Sequence, residues 1–171
     1  MRNLIFYIIL LFPPGLACQS AGEAAGNPPG YDLTKPVKYF MPNILLEISG
    51  ITFKDDNRDS LYAQQDELGS IFILKTGEKK YRESHVTKEG DFEDIAEMDE
   101  HFFLLRSDGR LYSVPAEELN YRVTPTVKEW QDFLPKGEYE GMFALKETRE
   151  LYVLCKDCPV DKKIKVSALL F

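Results

Sequence analysis

The sequence is poor in the side chains on which many metalloenzymes and nucleophilic enzymes depend. It has three cysteines and two histidines in 171 residues, so a transition-metal site built from thiolates and imidazoles is not expected. The G-x-S-x-G, H-E-x-x-H and glycine-rich phosphate-binding motifs are also missing. None of these common catalytic or nucleotide-binding sites is therefore indicated.

Positive charge is in short supply as well. Lysine and arginine number 21 against 28 aspartates and glutamates, which gives a formal net charge of -7. Nucleic-acid binding needs a basic patch that neutralises phosphates. Nucleic acid is therefore not expected as a partner.

Long hydrophobic runs are missing too. The N-terminal run, residues 4–12, has nine residues and follows a single Arg2, which is too short for a membrane span and typical of a signal-peptide core. The following PPGLAC is similar to a bacterial lipobox, with Gly15 where leucine is usual. We expect residues 1–17 to be a signal peptide and Cys18 to be lipidated. Plain secretion and an uncleaved anchor are the alternatives.

The predicted location follows from this segment. The protein would be exported as a membrane-anchored lipoprotein of the bacterial cell envelope, in contact with the membrane through its lipid anchor only. Residues 18–36 are rich in small residues, glycine and proline without apolar periodicity, so they are expected to be a flexible tether.

The two remaining cysteines, Cys155 and Cys158, form a single C-x-x-C pair. One such pair without a second pair or a nearby histidine is a weak zinc signal. In an oxidising compartment a local disulfide and two free thiols are both plausible.

From about Tyr39 onward, short apolar or alternating runs are separated by turn signals, as in LYAQQ, IFILK and KYRESHV. Such runs predict strands of four to seven residues. Only PAEEL and KEWQDFL favour single helical turns. The predicted fold class is therefore all-β.

Three segments of the chain align without gaps: LEISGITF at residues 46–53, GDFEDIAE at residues 90–97 and GEYEGMFA at residues 137–144. Gly50, Asp94 and Gly141 correspond, at spacings of 44 and 47 residues. Each segment is followed by a second strand, and the first two also by a third. A repeat of this length with up to four short strands predicts β-propeller blades of four strands.

The aligned segments carry acidic residues at alternate positions. Because alternate side chains of a strand share a face, each pair points to one side. The first strands of propeller blades line a central channel, so five carboxylates would gather there and require a cation or water. Solvated charges at strand starts are the simpler alternative. The candidate residues are Asp91, Glu93, Glu138, Glu140 and Glu47, with Ser49 in the second slot of the first repeat.

Three ordered segment pairs resemble the SdiA-regulated (YjiK-like) β-propeller family, which is distantly similar to NHL-repeat propellers. They are EISGITF with LYAQQDELGSIFIL, GDFEDIA with LLRSDGRLY, and EYEGM with LYVLC. The resemblance implies a five-bladed propeller over residues 37–171, usually exported, with a calcium site in at least one member and no established enzymatic activity. Carried over by position, Glu93 and Glu140 are the first candidate calcium ligands, followed by Asp91, Glu138 and Glu47.

The number of repeats is small for a closed propeller. Two complete four-stranded units fit between Glu47 and about Val127, and a third begins at Glu138 and reaches its third strand. Because closed propellers typically need four or more blades, we expect a C-terminally truncated member of the family, or several copies that assemble to close a ring.

Three functional hypotheses result. The first is a calcium-containing binding module for a protein or carbohydrate partner. The second is a metal-dependent propeller hydrolase of the lactonase or phosphoesterase-like kind, in which a channel cation activates water. The third is a fragment of a longer propeller without a function of its own.

Overall fold

A computed structural model describes residues 26–55, 57–159 and 167–170 of the chain. The predicted signal peptide and the predicted lipidation site Cys18 lie outside the described residues. The chain divides into two compact units, one ending at Val37 and the other beginning at Lys38. In the first unit, residues 26–37 form turns, in which Asp32 Oδ1 accepts hydrogen bonds from the backbone N–H and the hydroxyl of Thr34 at 3.0 and 2.6 Å.

The second unit consists of three antiparallel sheets in which strands follow each other in chain order. The first sheet contains β1 (Ile48–Lys54), β2 (Asn57–Gln65), β3 (Ser70–Lys75) and β4 (Tyr81–His85). The second contains β5 (Phe92–Met98), β6 (His101–Arg106), β7 (Leu111–Pro115) and β8 (Lys128–Trp130). The third contains β9 (Glu138–Leu145), β10 (Glu150–Asp157) and β11 (Ser167–Leu170).

Tight turns join neighbouring strands of each sheet. Asp99 and Glu100 connect β5 to β6 with φ of 51° and 60°. Positive φ at both central residues of a two-residue hairpin matches the right-handed twist of the flanking strands. Gly109 has a φ of 83° in the turn between β6 and β7, a conformation that is unstrained only for glycine.

The core consists of apolar layers on both faces of the second sheet. The layer shared with the first sheet includes Ile71, Phe102 and Tyr112, and the layer shared with the third includes Leu105, Tyr139 and Val153. A smaller cluster around Phe72 and Leu45 covers the other face of the first sheet. The second sheet is therefore buried on both sides, so its position between the other two is stabilised by apolar burial.

The first strands of the three sheets lie side by side. β1 is in contact with β5, and β5 is in contact with β9. Gly50 makes the first of these contacts possible, because a Cβ there would lie 2.7 Å from Asp94 Oδ1 and from the backbone nitrogen of Ile95. The repeat alignment thus brings equivalent strands together in space.

The all-β class and the four-stranded antiparallel units are confirmed. PAEEL contributes to a 3-10 helix, Ala116–Asn120, as predicted. The helical turn predicted in KEWQDFL is wrong, because Lys128–Trp130 pairs with β7 as β8. Main-chain pairing at the sheet edge outweighs local preference here, and the second four-stranded sheet extends beyond the predicted limit at Val127. Closure into a propeller stays a prediction, since the described strands form no closed ring.

No helix within the described ranges has the length and apolar character needed to cross a membrane.

Candidate functional site

The acidic residues of the second and third repeats come together at the start of β5 and β9. Glu93 is the second residue of β5, and Glu138 and Glu140 are the first and third residues of β9. Burial raises the pKa of Glu93 above its usual value, and the negative charges of Asp91 and Glu140 raise it further. The repulsion from Glu140 couples carboxylates of two different sheets. We call Asp91, Glu93, Glu138 and Glu140 the acidic cluster.

A lysine from β10 neutralises part of this charge. Lys156 Nζ lies 2.5 Å from Glu140 Oε1 and 3.5 Å from Glu138 Oε1. The hydrogen bond to Glu140 and the charge of Glu138 raise the pKa of Lys156. Glu93, Glu138 and Glu140 interact with this one ammonium group, so these three carboxylates keep an excess of negative charge. Lys156 was not among the predicted site residues. Its place in the strand that follows the acidic repeat could have indicated a counter-ion for Glu138 and Glu140.

Asp91 is oriented by the turn after β6. Ser107 Oγ donates a hydrogen bond to Asp91 Oδ2 at 2.6 Å, and the Ser107 backbone N–H donates to the Asp91 carbonyl at 2.9 Å. The first hydrogen bond restricts the Asp91 side chain and the second fixes its backbone, so Asp91 is held at the edge of the cluster.

Glu47, the fifth predicted ligand, makes no side-chain hydrogen bond or ion pair with any described residue. It is exposed and precedes β1, and its backbone carbonyl accepts hydrogen bonds from the N–H of Asp66 at 3.1 Å and from the Ser49 hydroxyl at 3.5 Å. An electrostatic interaction between acids of different repeats is therefore present only for Glu93 and Glu140 among the described residues.

The donor chemistry of the acidic cluster suits calcium in kind, because carboxylates are hard oxygen ligands. The described residues nevertheless contain no group of three or more aspartates, glutamates, histidines or cysteines placed to hold a metal ion. Lys156 supplies the positive charge at Glu138 and Glu140. Calcium would have to compete with that ammonium group, and its presence stays a prediction.

The repeat position held by Gly50, Asp94 and Gly141 carries a link between two sheets. Asp94 Oδ2 accepts a hydrogen bond from the backbone N–H of Met142 in β9 at 2.7 Å, and Asp94 Oδ1 accepts one from Ile95 N–H at 2.8 Å. Burial raises the pKa of Asp94, and these two hydrogen bonds oppose the rise. Asp94 is thus a structural link between the second and third sheets.

A second group of charges lies at the other end of the same strands. Glu97 near the end of β5 is 2% exposed, and its Oε2 accepts hydrogen bonds from Lys146 Nζ and from the backbone N–H of Asp55. Lys146 Nζ also lies 3.8 Å from Asp55 Oδ1. Asp55 follows β1, Glu97 is the next-to-last residue of β5, and Lys146 follows β9. Each sheet therefore contributes one residue to this group. Glu97 could have been singled out from the sequence, because it aligns with Phe53 and Ala144 in the three repeats and is the one charged residue at that position.

The two histidines lie away from the acidic cluster. His85 is in β4, at the opposite edge of the first sheet from β1, and its Nδ1 lies 3.4 Å from Ser70 Oγ. Ser70 is buried and donates instead to Glu83 Oε1 at 2.9 Å. His101 begins β6, next to the end of β5 that is remote from Glu93. A serine nucleophile activated by histidine and oriented by a carboxylate is therefore not formed here.

Cys155 and Cys158 form a disulfide, with their Cα atoms 6.1 Å apart. Both are buried in the core layer between the second and third sheets. Gly137 lies against the bond, because a Cβ there would be 2.4 Å from Cys158 Sγ. The bond thus lies beneath the start of β9 and helps to fix the segment that carries Glu138 and Glu140.

Comparison of the chain with protein-family models and with curated proteins gave no match.

Proposed function

We propose that the protein is an exported, lipid-anchored binding module of the β-propeller kind, and that its ligand-binding end is the acidic cluster. The observation that supports this proposal is the raised pKa of Glu93, which is caused by burial, by the charge of Asp91 and by the charge of Glu140 on the neighbouring sheet. Like charges held together cost free energy unless a ligand or counter-ion offsets them. A rigid sheet scaffold that maintains such a cost is typical of a binding site.

A binding role fits the chemistry of this end better than hydrolysis does. Hydrolysis with an imidazole base is not supported, because His85 and His101 lie at a distant strand and at the opposite strand end. The nearest basic group is Lys156, whose raised pKa keeps it protonated. A protonated lysine cannot accept a proton from water, so it serves as a counter-ion.

The ligand that we propose for the cluster is calcium, which would in turn present a charged surface to a protein or carbohydrate partner. Glu93 and Glu140 would be its main ligands, with Asp91 and Glu138 beside them. Binding would release Lys156 from Glu138 and Glu140, since the ion and the ammonium group need the same carboxylate oxygens. The calcium affinity should therefore depend on Lys156 as well as on the acids.

Calorimetric titration of the purified protein with calcium tests this proposal. We expect saturable binding that weakens ~10-fold or more in Glu93→Gln and in Glu140→Gln, because each change removes a charged oxygen ligand. Lys156→Met should bind more tightly than the wild type, since the competing cation is lost. Glu78→Gln, in the turn between β3 and β4, is the matched control and should bind as the wild type does.

The result that would contradict the calcium proposal is the lack of saturable heat in both the wild type and Lys156→Met. Equal affinity in the wild type, Glu93→Gln and Glu140→Gln would place any bound calcium elsewhere.

A further inference from the structure

A cavity of about 450 Å³ lies where β1, β5 and β9 end, beside the second group of charges. Its polar wall includes Asp55, Glu97 and Lys146, and its apolar wall includes Phe53 and Phe143. The volume is within the range of small-molecule sites. The cavity thus combines aromatic surface with charged side chains at the end of the strands that is remote from the acidic cluster.

The polar wall has one unfilled hydrogen-bonding position. The Glu97 side chain is 1% exposed, yet its Oε1 has no hydrogen-bond partner in the described part of the chain. Only Oε2 is used, by Lys146 and the Asp55 backbone N–H. A buried carboxylate oxygen without a donor is costly, so a ligand that brings an N–H group to Glu97 would offset a cost already present in the fold.

The charge balance indicates the sign of that ligand. Asp55 and Glu97 carry two negative charges against the single positive charge of Lys146, which is already paired with both. An anion would find no free positive charge among these three residues, whereas a cation would reduce the excess.

The apolar wall indicates an organic cation. Phe53 and Phe143 are 36% and 62% exposed, although both are large apolar side chains. Aromatic faces attract ammonium and guanidinium groups and bury their aliphatic stems. A hydrated metal ion would gain nothing from these two rings.

We propose that this cavity is a second binding site, which takes an organic cation with an ammonium or guanidinium head on an aliphatic chain. The head donates a hydrogen bond to Glu97 Oε1, and the chain lies against Phe53 and Phe143. Lys146 acts as the internal competitor, because its own ammonium group already occupies Glu97 Oε2. This site is distinct from the acidic cluster and does not depend on calcium.

Titration with n-butylammonium, followed by NMR or calorimetry, tests the second site. We expect saturable binding of n-butylammonium, and binding at least ~10-fold weaker for n-butanol, which has the same chain without the charge. Butylguanidinium should bind as well. Equal binding of the alcohol and the ammonium ion would overturn the proposal, as would the lack of saturable binding by either cation.

Variants locate the site. Glu97→Gln should weaken n-butylammonium binding ~10-fold or more, whereas Lys146→Met should strengthen it and should gain more thermal stability from the ligand than the wild type does. Lys156→Met, which removes ion pairs at the acidic cluster, is the matched control and should bind as the wild type does. Unchanged affinity in Glu97→Gln would overturn the proposal. If Glu97→Gln fails to fold, the comparison of ammonium with alcohol in the wild type decides.

The two binding proposals fail independently. Glu93→Gln and Glu140→Gln should weaken calcium binding and leave n-butylammonium binding intact, because they alter the start of β5 and β9 and not the end. Loss of both ligands in Glu93→Gln would mean that the variant has lost its fold, which circular dichroism would detect.

Discussion

Replacing Lys146 by methionine should lower the free energy of unfolding by about 3 kcal/mol, one of the largest effects that we expect from a single substitution. The Glu97 side chain is 1% exposed and takes its positive counter-charge from Lys146. Removing one partner of a buried pair leaves an uncompensated buried charge, which typically costs ~3–5 kcal/mol. The remaining hydrogen bond from the Asp55 backbone N–H and the 39% exposure of the Lys146 side chain place the expected value at the lower limit. Chemical denaturation with urea measures it.

The double variant Glu97→Gln/Lys146→Met separates charge from packing. A neutral glutamine keeps the shape of the side chain and removes the unpaired charge, so most of the lost stability should return. Lys54→Met is the control, because its ion pair with Glu100 lies at the surface, with a partly exposed lysine and an exposed glutamate, and surface pairs contribute about 1 kcal/mol or less. A double variant as unstable as Lys146→Met would show that the buried charge is not the cause.

Replacing Gly50 by alanine should destabilise the protein by about 2 kcal/mol. The added Cβ would lie 2.7 Å from Asp94 Oδ1 and from Ile95 N, and 3.0 Å from Asp94 Cα. Two of these atoms are backbone atoms of β5, so β1 and β5 must move apart, and overpacking of this kind typically costs ~1–3 kcal/mol. Thermal or urea denaturation provides the measurement.

Gly141 provides a control in the same column of the repeat. A Cβ there would meet Leu154 at 3.7 Å and Asp94 Oδ2 at 3.9 Å, which are ordinary contact distances. Gly141→Ala should therefore change the stability by about 0.5 kcal/mol or less. Equal losses in Gly50→Ala and Gly141→Ala would contradict the close approach of β1 to β5.

Most of the strands could be predicted from the sequence, because alternation and turn residues are local properties. The alignment of Gly50, Asp94 and Gly141 also predicted which strands meet. It could not predict β8, since Lys128–Trp130 forms a strand only because β7 leaves a sheet edge open beside it. Edge pairing is a tertiary effect that a propensity for a short helical turn does not reveal.

The candidate site was predictable in its acids and not in its counter-ions. Asp91 and Glu93 are recognised by their spacing within one strand, and so are Glu138 and Glu140. Lys156 lies in β10 and contacts Glu140 in the paired strand β9. Lys146 follows β9 in the third sheet and contacts Glu97 in the adjacent second sheet. Contacts of this kind depend on the register and on sheet packing, which a single sequence does not specify.

The convergence of the acidic cluster is the central claim, and the pKa of Glu93 measured by NMR tests it most directly. Burial raises this pKa most, Asp91 and, from the neighbouring sheet, Glu140 raise it further, and Lys156 lowers it. We therefore predict a lower pKa for Glu93 in Glu140→Gln than in the wild type, a higher one in Lys156→Met, and no change in Glu78→Gln. An unchanged pKa of Glu93 in both Glu140→Gln and Lys156→Met would contradict the claim that β5 and β9 bring their carboxylates to one site.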